Sequence, residues 1–144
     1  MGKILEYTCS QFLEDMERVT LPKPDAILAV ARGGLTPAHF IAQKLGVREL
    51  FSITARSYSH RKKVGSPLFS PLPSLSHFHR LLIVDDICDT GETLSHLTKI
   101  VKENNPSLTL STFTIFLKPT SQFRPDFYLH LTDQWVHFFW EIGE

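Results

Sequence analysis

The stretch LLIVDDICDTGETL, residues 81–94, holds the densest chemistry in the chain. Four apolar residues deliver two adjacent carboxylates, Asp85 and Asp86. Asp89, Thr90, Gly91, Glu92 and Thr93 then make a turn into a helical pattern. Such a turn offers unpaired backbone N–H groups and the positive end of a helix dipole, which together hold a phosphate. Gly91 permits close approach of the backbone, and the hydroxyls of Thr90 and Thr93 add donors. Carboxylates beside a phosphate repel it unless they bind something else, and sugar hydroxyls or a hard cation such as Mg²⁺ are the natural candidates. The bland alternative is a plain strand, turn and helix with Asp89 as N-cap and the other acids solvated. Two further acids directly behind an apolar strand argue against it. The Gly-Lys-Ser/Thr element of a Walker loop is absent.

Several elements must position these residues. AILAVA (26–31) is an apolar run bounded by Asp25 and by Arg32-Gly33-Gly34, and reads as a buried strand. TPAHFIAQKLG (36–46) predicts a helix with Pro37 near its start and Gly46 at its stop. Strands are expected at 49–58, 80–84, 108–117 and 126–131, and helices at 10–19 and 90–104, the first with a capping box from Thr8 and Gln11. Residues 59–79, with three prolines and five serines, show neither period. A structureless loop of about 20 residues in a compact domain is usually functional or disordered. Strands alternating with helices imply an α/β fold, a parallel sheet flanked by helices on both faces, with ligands at the carboxyl ends of its strands. Arg32-Gly33-Gly34, the segment after Tyr58, and Asp85 to Thr93 all fall at that edge.

The 144 residues suit one domain, 1–144, with 42% hydrophobic side chains to build a core. Fifteen basic and 15 acidic residues cancel, which argues against a general nucleic-acid binder but not against an anionic small molecule. Cys9 and Cys88 suggest no disulfide framework, the N-terminus shows no apolar signal segment, and no apolar run nears the roughly 18 residues that span a bilayer. A cytoplasmic protein with no membrane partner is the expectation.

Residues 81–94 resemble the phosphoribosyl-pyrophosphate signature of type I phosphoribosyltransferases, combining an apolar strand, paired acids and Asp-Thr-Gly-x-Thr. AVARGGLTPA (29–38) resembles the family's pyrophosphate loop. FLKPT (116–120) and DQWVHFFWE (133–141) are most similar to bacterial xanthine-guanine phosphoribosyltransferases. The resemblance runs from about residue 26 to 141. It implies the family fold with a small hood built from the chain termini, and purine salvage. The phosphoribosyl group passes to a 6-oxopurine (xanthine, guanine or hypoxanthine), releasing pyrophosphate, with Mg²⁺ as cofactor and a homo-oligomer, dimer or tetramer, as the assembly.

Carried over residue by residue, the resemblance gives Asp85 and Asp86 the ribose hydroxyls, with Asp86 also anchoring the metal. Residues 89–93, namely Asp89, Thr90, Gly91, Glu92 and Thr93, cradle the 5-phosphate, and Asp89 accepts the proton at purine N7. Arg32 and Gly33 meet pyrophosphate. Lys118 donates to the 6-oxo group, Trp135 stacks on the base, and the Val136 carbonyl accepts from it, in a base-binding hood over about 118–144. Residues 57–79 become a lid, with Ser57, Tyr58 and Lys63 as its contacts and Arg61 and Lys62 as neighbouring cations. The chain departs from the family where Phe139 and Glu141 replace a proline and an aspartate around Trp140, and where no lid arginine has a clean counterpart.

Other residues read as structural. Phe138, Phe139 and Trp140 fit packing better than ligand contact. Cys88 stands where a helix N-terminus can lower a thiol pKa. His77 and His79 lack a third metal ligand. Two other functions stay open: transfer to adenine or a pyrimidine, and a regulator that senses phosphoribosyl pyrophosphate.

Overall fold

The computed structural model describes residues 3–56 and 67–143. In chain order the elements are β1 (Ile4–Tyr7), α1 (Cys9–Arg18), β2 (Ala26–Ala31), α2 (Leu35–Leu45), β3 (Leu50–Arg56), β4 (Leu68–Phe69), β5 (Arg80–Cys88), α3 (Glu92–Asn104), β6 (Thr109–Leu117), β7 (Phe127–Leu131) and β8 (Trp135–Phe138). Six strands form one sheet in the order β4-β3-β2-β5-β6-β7, parallel throughout except for β4 at the edge. This is the mostly parallel, helix-flanked sheet that the alternating pattern predicts.

The period-2 alternation of the central strands decides which helix covers which face. Ile27, Ala29, Leu82 and Val84 pack with Phe12 and Met16 of α1 and Ala38 and Ile41 of α2. Ala26, Leu28, Leu81 and Ile83 point the other way, against Leu94, Leu97 and Val101 of α3. The helix ends follow from local chemistry. Thr8 and Gln11 make the reciprocal capping box before α1, and α2 stops at Gly46, whose φ is 69°. Lys44 ties the two helices together by donating from Nζ to the carbonyls of Met16, Glu17 and Val19 at the end of α1, at 2.8, 2.7 and 2.7 Å.

Three features differ from the sequence expectation. Asp85 and Asp86 do not follow strand β5; they lie inside it, because Asp85 and Ile87 continue the pairing with Thr114 and Phe116 of β6. Residues 4–7 form a strand whose partner is β8, in parallel register from Ile4 with Trp135 to Tyr7 with Phe138. This two-stranded sheet is the hood from the chain termini. The lid expected over 57–79 is also corrected at its far end. Leu68–Phe69 pairs with β3, Leu75 is fully buried, and Phe69, Leu72 and Phe78 pack on the α3 side of the core. Ser57, Tyr58, Arg61, Lys62 and Lys63 lie outside the described residues.

Candidate active site

Because successive residues of β5 point to opposite faces, the paired acids serve two different surroundings. Asp85 continues the α3 face and Asp86 the α1/α2 face. Each carboxylate accepts a backbone N–H from the following residue, Asp86 N–H to Asp85 Oδ1 at 2.8 Å and Ile87 N–H to Asp86 Oδ1 at 2.7 Å. Burial, followed by the negative charge of Asp86, holds the Asp85 carboxyl well above the usual range. Burial also raises Asp86; the neighbouring Asp85 side chain and the Ile87 N–H offset part of the rise, and the negative charge of Glu141 adds to it. Among the described residues, neither acid has a cation within ion-pair distance. Two half-buried carboxyls with no counter-charge among the described residues do not stabilise the fold, and such a pair suits binding.

On the α3 face, Asp85, Asp89, Thr90, Gly91 and Thr93 line a small hollow of about 90 Å³ at the N-terminus of α3. Gly91 has φ 94°, and a Cβ there would stand 2.6 Å from the Phe123 backbone nitrogen and 2.8 Å from Ser121 Oγ. Only glycine fits this turn. The segment that crowds it was not singled out in the sequence: Gln122 N–H donates to the Thr90 carbonyl at 2.9 Å, and Ser121 Oγ donates to the Phe123 carbonyl at 2.7 Å. Thr90 Oγ1 accepts from Glu92 N–H at 3.2 Å. The Glu92 side chain is exposed and does not line the hollow, so only its backbone can serve a phosphate there. Cys88 is buried beside Ser121, and burial pushes its thiol pKa up, which removes the reactive-thiol possibility raised by its position.

On the opposite face, Arg32, Gly33, Asp86, Trp135, His137, Trp140 and Glu141 line a cavity of about 680 Å³ beneath the hood. A Cβ at Gly33 would overlap the Asp86 carboxylate, 2.5 Å from its Cγ, so the loop after β2 approaches the acid as closely as a backbone can. Trp135 is 66% exposed at the cavity mouth, whereas the Val136 side chain is buried in the core, leaving only its backbone as a contact. Trp140 stacks on Phe138 with ring centroids 4.8 Å apart and also lines the cavity, so the packing role expected of it is only half of its role. Glu141, which stands where the family has an aspartate, lines the cavity, and so does His137, which motif reasoning missed; alternation along β8 from Trp135 would have found it. At the end of β6, Lys118 Nζ lies 3.9 Å from Asp89 Oδ1, with the lysine side chain 15% exposed and the aspartate 60%. His77 and His79 form no metal cluster, and no group of three ligating side chains occurs among the described residues.

The sheet edge thus carries a phosphate-sized hollow, two acids suited to a diol, and a roofed cavity with an arginine loop. Together they define an α/β protein that handles a phosphorylated sugar and a planar partner. Residues 14–144 match the phosphoribosyl transferase domain family, and the chain belongs to it. It is 30% identical to the xanthine-guanine phosphoribosyltransferase of Idiomarina loihiensis over 119 residues, covering 81% of this chain and 70% of that protein. It is 33% identical over 120 residues to the enzyme of the same name from Chromohalobacter salexigens, covering 81% and 68%. Among solved structures, the xanthine-guanine-hypoxanthine phosphoribosyltransferase of Helicobacter pylori superimposes with a TM-score of 0.89 at 26% identity, covering 97% of this chain and 95% of that one. A purine phosphoribosyltransferase from Pyrococcus horikoshii gives 0.82 at 31% identity, covering 98% and 96%.

Proposed function

We propose that the protein transfers the 5-phosphoribosyl group of phosphoribosyl pyrophosphate to a 6-oxopurine, giving the nucleoside 5′-monophosphate and pyrophosphate in purine salvage. The observation that carries the base assignment is the Lys118–Asp89 pair. It sets a cationic donor and an anionic acceptor 3.9 Å apart, matching the adjacent 6-oxo oxygen and N7–H on one purine edge. The names of the relatives support the same reaction.

Each residue then has a task set by its place. The hollow from Asp89 to Thr93, counting the Glu92 backbone, takes the 5-phosphate. Asp85 and Asp86 accept the ribose hydroxyls and favour the positive charge that develops on the sugar as pyrophosphate leaves. Arg32 and the Gly33 backbone meet the pyrophosphate. Trp135 stacks on the base and the Val136 carbonyl accepts from it, while Asp89 takes the N7 proton. Ser57, Tyr58 and Lys63 supply the lid contacts in this reading. Mg²⁺ fits the site, because the donor set beside Gly33 is all oxygen and too small for a closed protein cage. Magnesium is held by one or two carboxylates plus substrate oxygens and water. Asp86 would hold it, and when bound it neutralises charge on the leaving pyrophosphate.

A cytoplasmic location is part of this proposal, because substrates of this kind are used there. The exposed Leu13 on α1 and Phe40 on α2 are apolar surface that a homodimer or tetramer would cover. No helix among the described residues is long and apolar enough to cross a membrane. Steady-state assays with phosphoribosyl pyrophosphate and each of xanthine, guanine and hypoxanthine test the proposal, and absence of turnover with all three defeats it. Lys118→Ala should lower kcat/KM for 6-oxopurines by about 100-fold or more, since a site built to hydrogen-bond a substrate group depends strongly on that bond. Unchanged activity would instead point to adenine or a pyrimidine as acceptor.

A further inference from the structure

β8 divides its side chains between two surroundings. Val136 and Phe138 are buried in the core, while Trp135 and His137 line the cavity shared with Arg32, Gly33 and Asp86. His137 is gripped from both sides. Its Nδ1 lies 2.8 Å from Oε1 of Glu6, the residue opposite it on β1, and its Nε2 lies 3.3 Å from the Glu141 carbonyl. Two acceptors for two ring nitrogens favour the doubly protonated imidazolium. The hydrogen bond to Glu6 is the main cause that raises the His137 pKa above its ordinary value. Glu6 does not line the cavity, so the pair turns its positive end inward. The other charged groups on the cavity wall are Arg32 after β2, Asp86 on β5 and Glu141 after β8.

We infer that His137 is a specificity-determining residue that favours xanthine among the 6-oxopurines by presenting a cationic N–H to the 2-oxo edge of the base. The inference rests on the proposed 6-oxopurine reading of the site. In this proposal a purine stacks on Trp135 and turns its 2-position along β8, where the next side chain lining the cavity is His137. Xanthine carries an oxygen at C2 and is the most acidic of the three bases, partly anionic near neutral pH. Guanine carries an amino donor there, and hypoxanthine carries only hydrogen. At C2 itself the imidazolium therefore finds an acceptor in xanthine alone, and a charge-assisted hydrogen bond is roughly twice as strong as a neutral one. The Nε2–H contact to the Glu141 carbonyl, long at 3.3 Å, is the one a bound 2-oxo group replaces.

The experiment measures kcat/KM for xanthine, guanine and hypoxanthine in the wild type, His137→Gln, His137→Lys and Glu6→Gln across pH 6–9, with each variant's melting recorded. His137→Gln should lower the xanthine-to-guanine ratio by about tenfold or more, the size of one hydrogen bond to a charged group. Glu6→Gln should move the fall of that ratio to lower pH, because the imidazolium loses its proton sooner. His137→Lys should keep the xanthine preference at pH values where the wild type has lost it. A ratio that stays within about twofold in His137→Gln overturns the inference, and so does an equal loss with all three bases, which marks a structural role. A wild type that uses guanine but not xanthine overturns it while leaving the broader reading standing. A wild type that turns over none of the bases defeats both.

Discussion

Replacing Asp85 by asparagine should make the ligand-free protein more stable while disabling it. Asp85 is a half-buried carboxylate next to a second one, and among the described residues no cation faces either. Burial and the Asp86 charge both act against its ionised form. Asparagine keeps the Oδ1 that accepts the Asp86 N–H at 2.8 Å and removes only the charge. An uncompensated charge in such a place costs about 1–3 kcal/mol. With a melting entropy of about 2.1 cal/mol/K per residue, 144 residues convert each kcal/mol into about 3 °C. Asp85→Asn should therefore raise Tm by about 3–10 °C in metal-free, phosphate-free buffer. Calorimetric titration should show phosphoribosyl-pyrophosphate affinity lowered at least about tenfold in the same variant. Asp86→Asn should stabilise less, because the neighbouring Asp85 side chain and the Ile87 N–H already offset part of its penalty. A Tm that stays level or falls in Asp85→Asn, with native circular dichroism, would refute the view that these acids are held against their own electrostatics for the ligand's sake.

Gly91→Ala forces a side chain into φ 94° and against the Phe123 backbone. The left-handed conformation alone costs about 1–2 kcal/mol, so thermal denaturation should show a Tm lower by at least about 3 °C together with lost turnover. Asp89→Asn should cut kcat far more than phosphoribosyl-pyrophosphate affinity, and equal losses in rapid-quench and titration data would mean that Asp89 only shapes the turn. Asp25 accepts the N–H groups of His79 and Arg80 at 2.7 and 2.9 Å, and these bonds lower its pKa. Its stabilisation is complete above the unfolded carboxyl pKa of about 3.9 and is lost as pH falls through the lower folded value. The Tm gap between wild type and Asp25→Ala should accordingly narrow as pH drops from 5 to 3, and a constant gap would assign the effect to packing.

What the sequence revealed and what it hid divide along one physical line. AILAVA and the LLIV of β5 are continuous apolar runs because a parallel strand is covered on both faces, and LTLSTFTIFL is rich in β-branched and aromatic residues, so each was legible by itself. The phosphate hollow was legible because the residues that line it all fall within one short stretch, from Asp85 to Leu94. β1 was not. Ile4 is 62% exposed, the strand has four residues, and every backbone partner it has lies on β8, more than 120 positions away. No local period could announce a pairing that only the finished fold creates. The end of β5 was misjudged differently, since two acids inside a strand look like its termination, yet the ladder to β6 carries through them.

The continuation of β5 through Asp85 and Asp86 is the feature on which the site depends. If the strand stopped at Val84, Asp85 and Asp86 would share one loop and compete for one ligand group. Held within the strand, they are turned apart by the pleat, Asp85 toward the hollow at α3 and Asp86 toward the arginine loop and the hood. The sheet thereby places a carboxyl on each face of one edge, and among the described residues neither has a cation within ion-pair distance. A ribose spanning that edge can then meet one carboxylate from each face, with its 5-phosphate on the α3 side and its leaving group beneath Gly33. The hood closes this second face only because β1, from the opposite end of the chain, fixes β8 in register through Glu6 and His137. Glu6 of β1 thus holds His137 in place without lining the cavity itself, and Glu6→Gln should alter substrate choice before it alters the sheet.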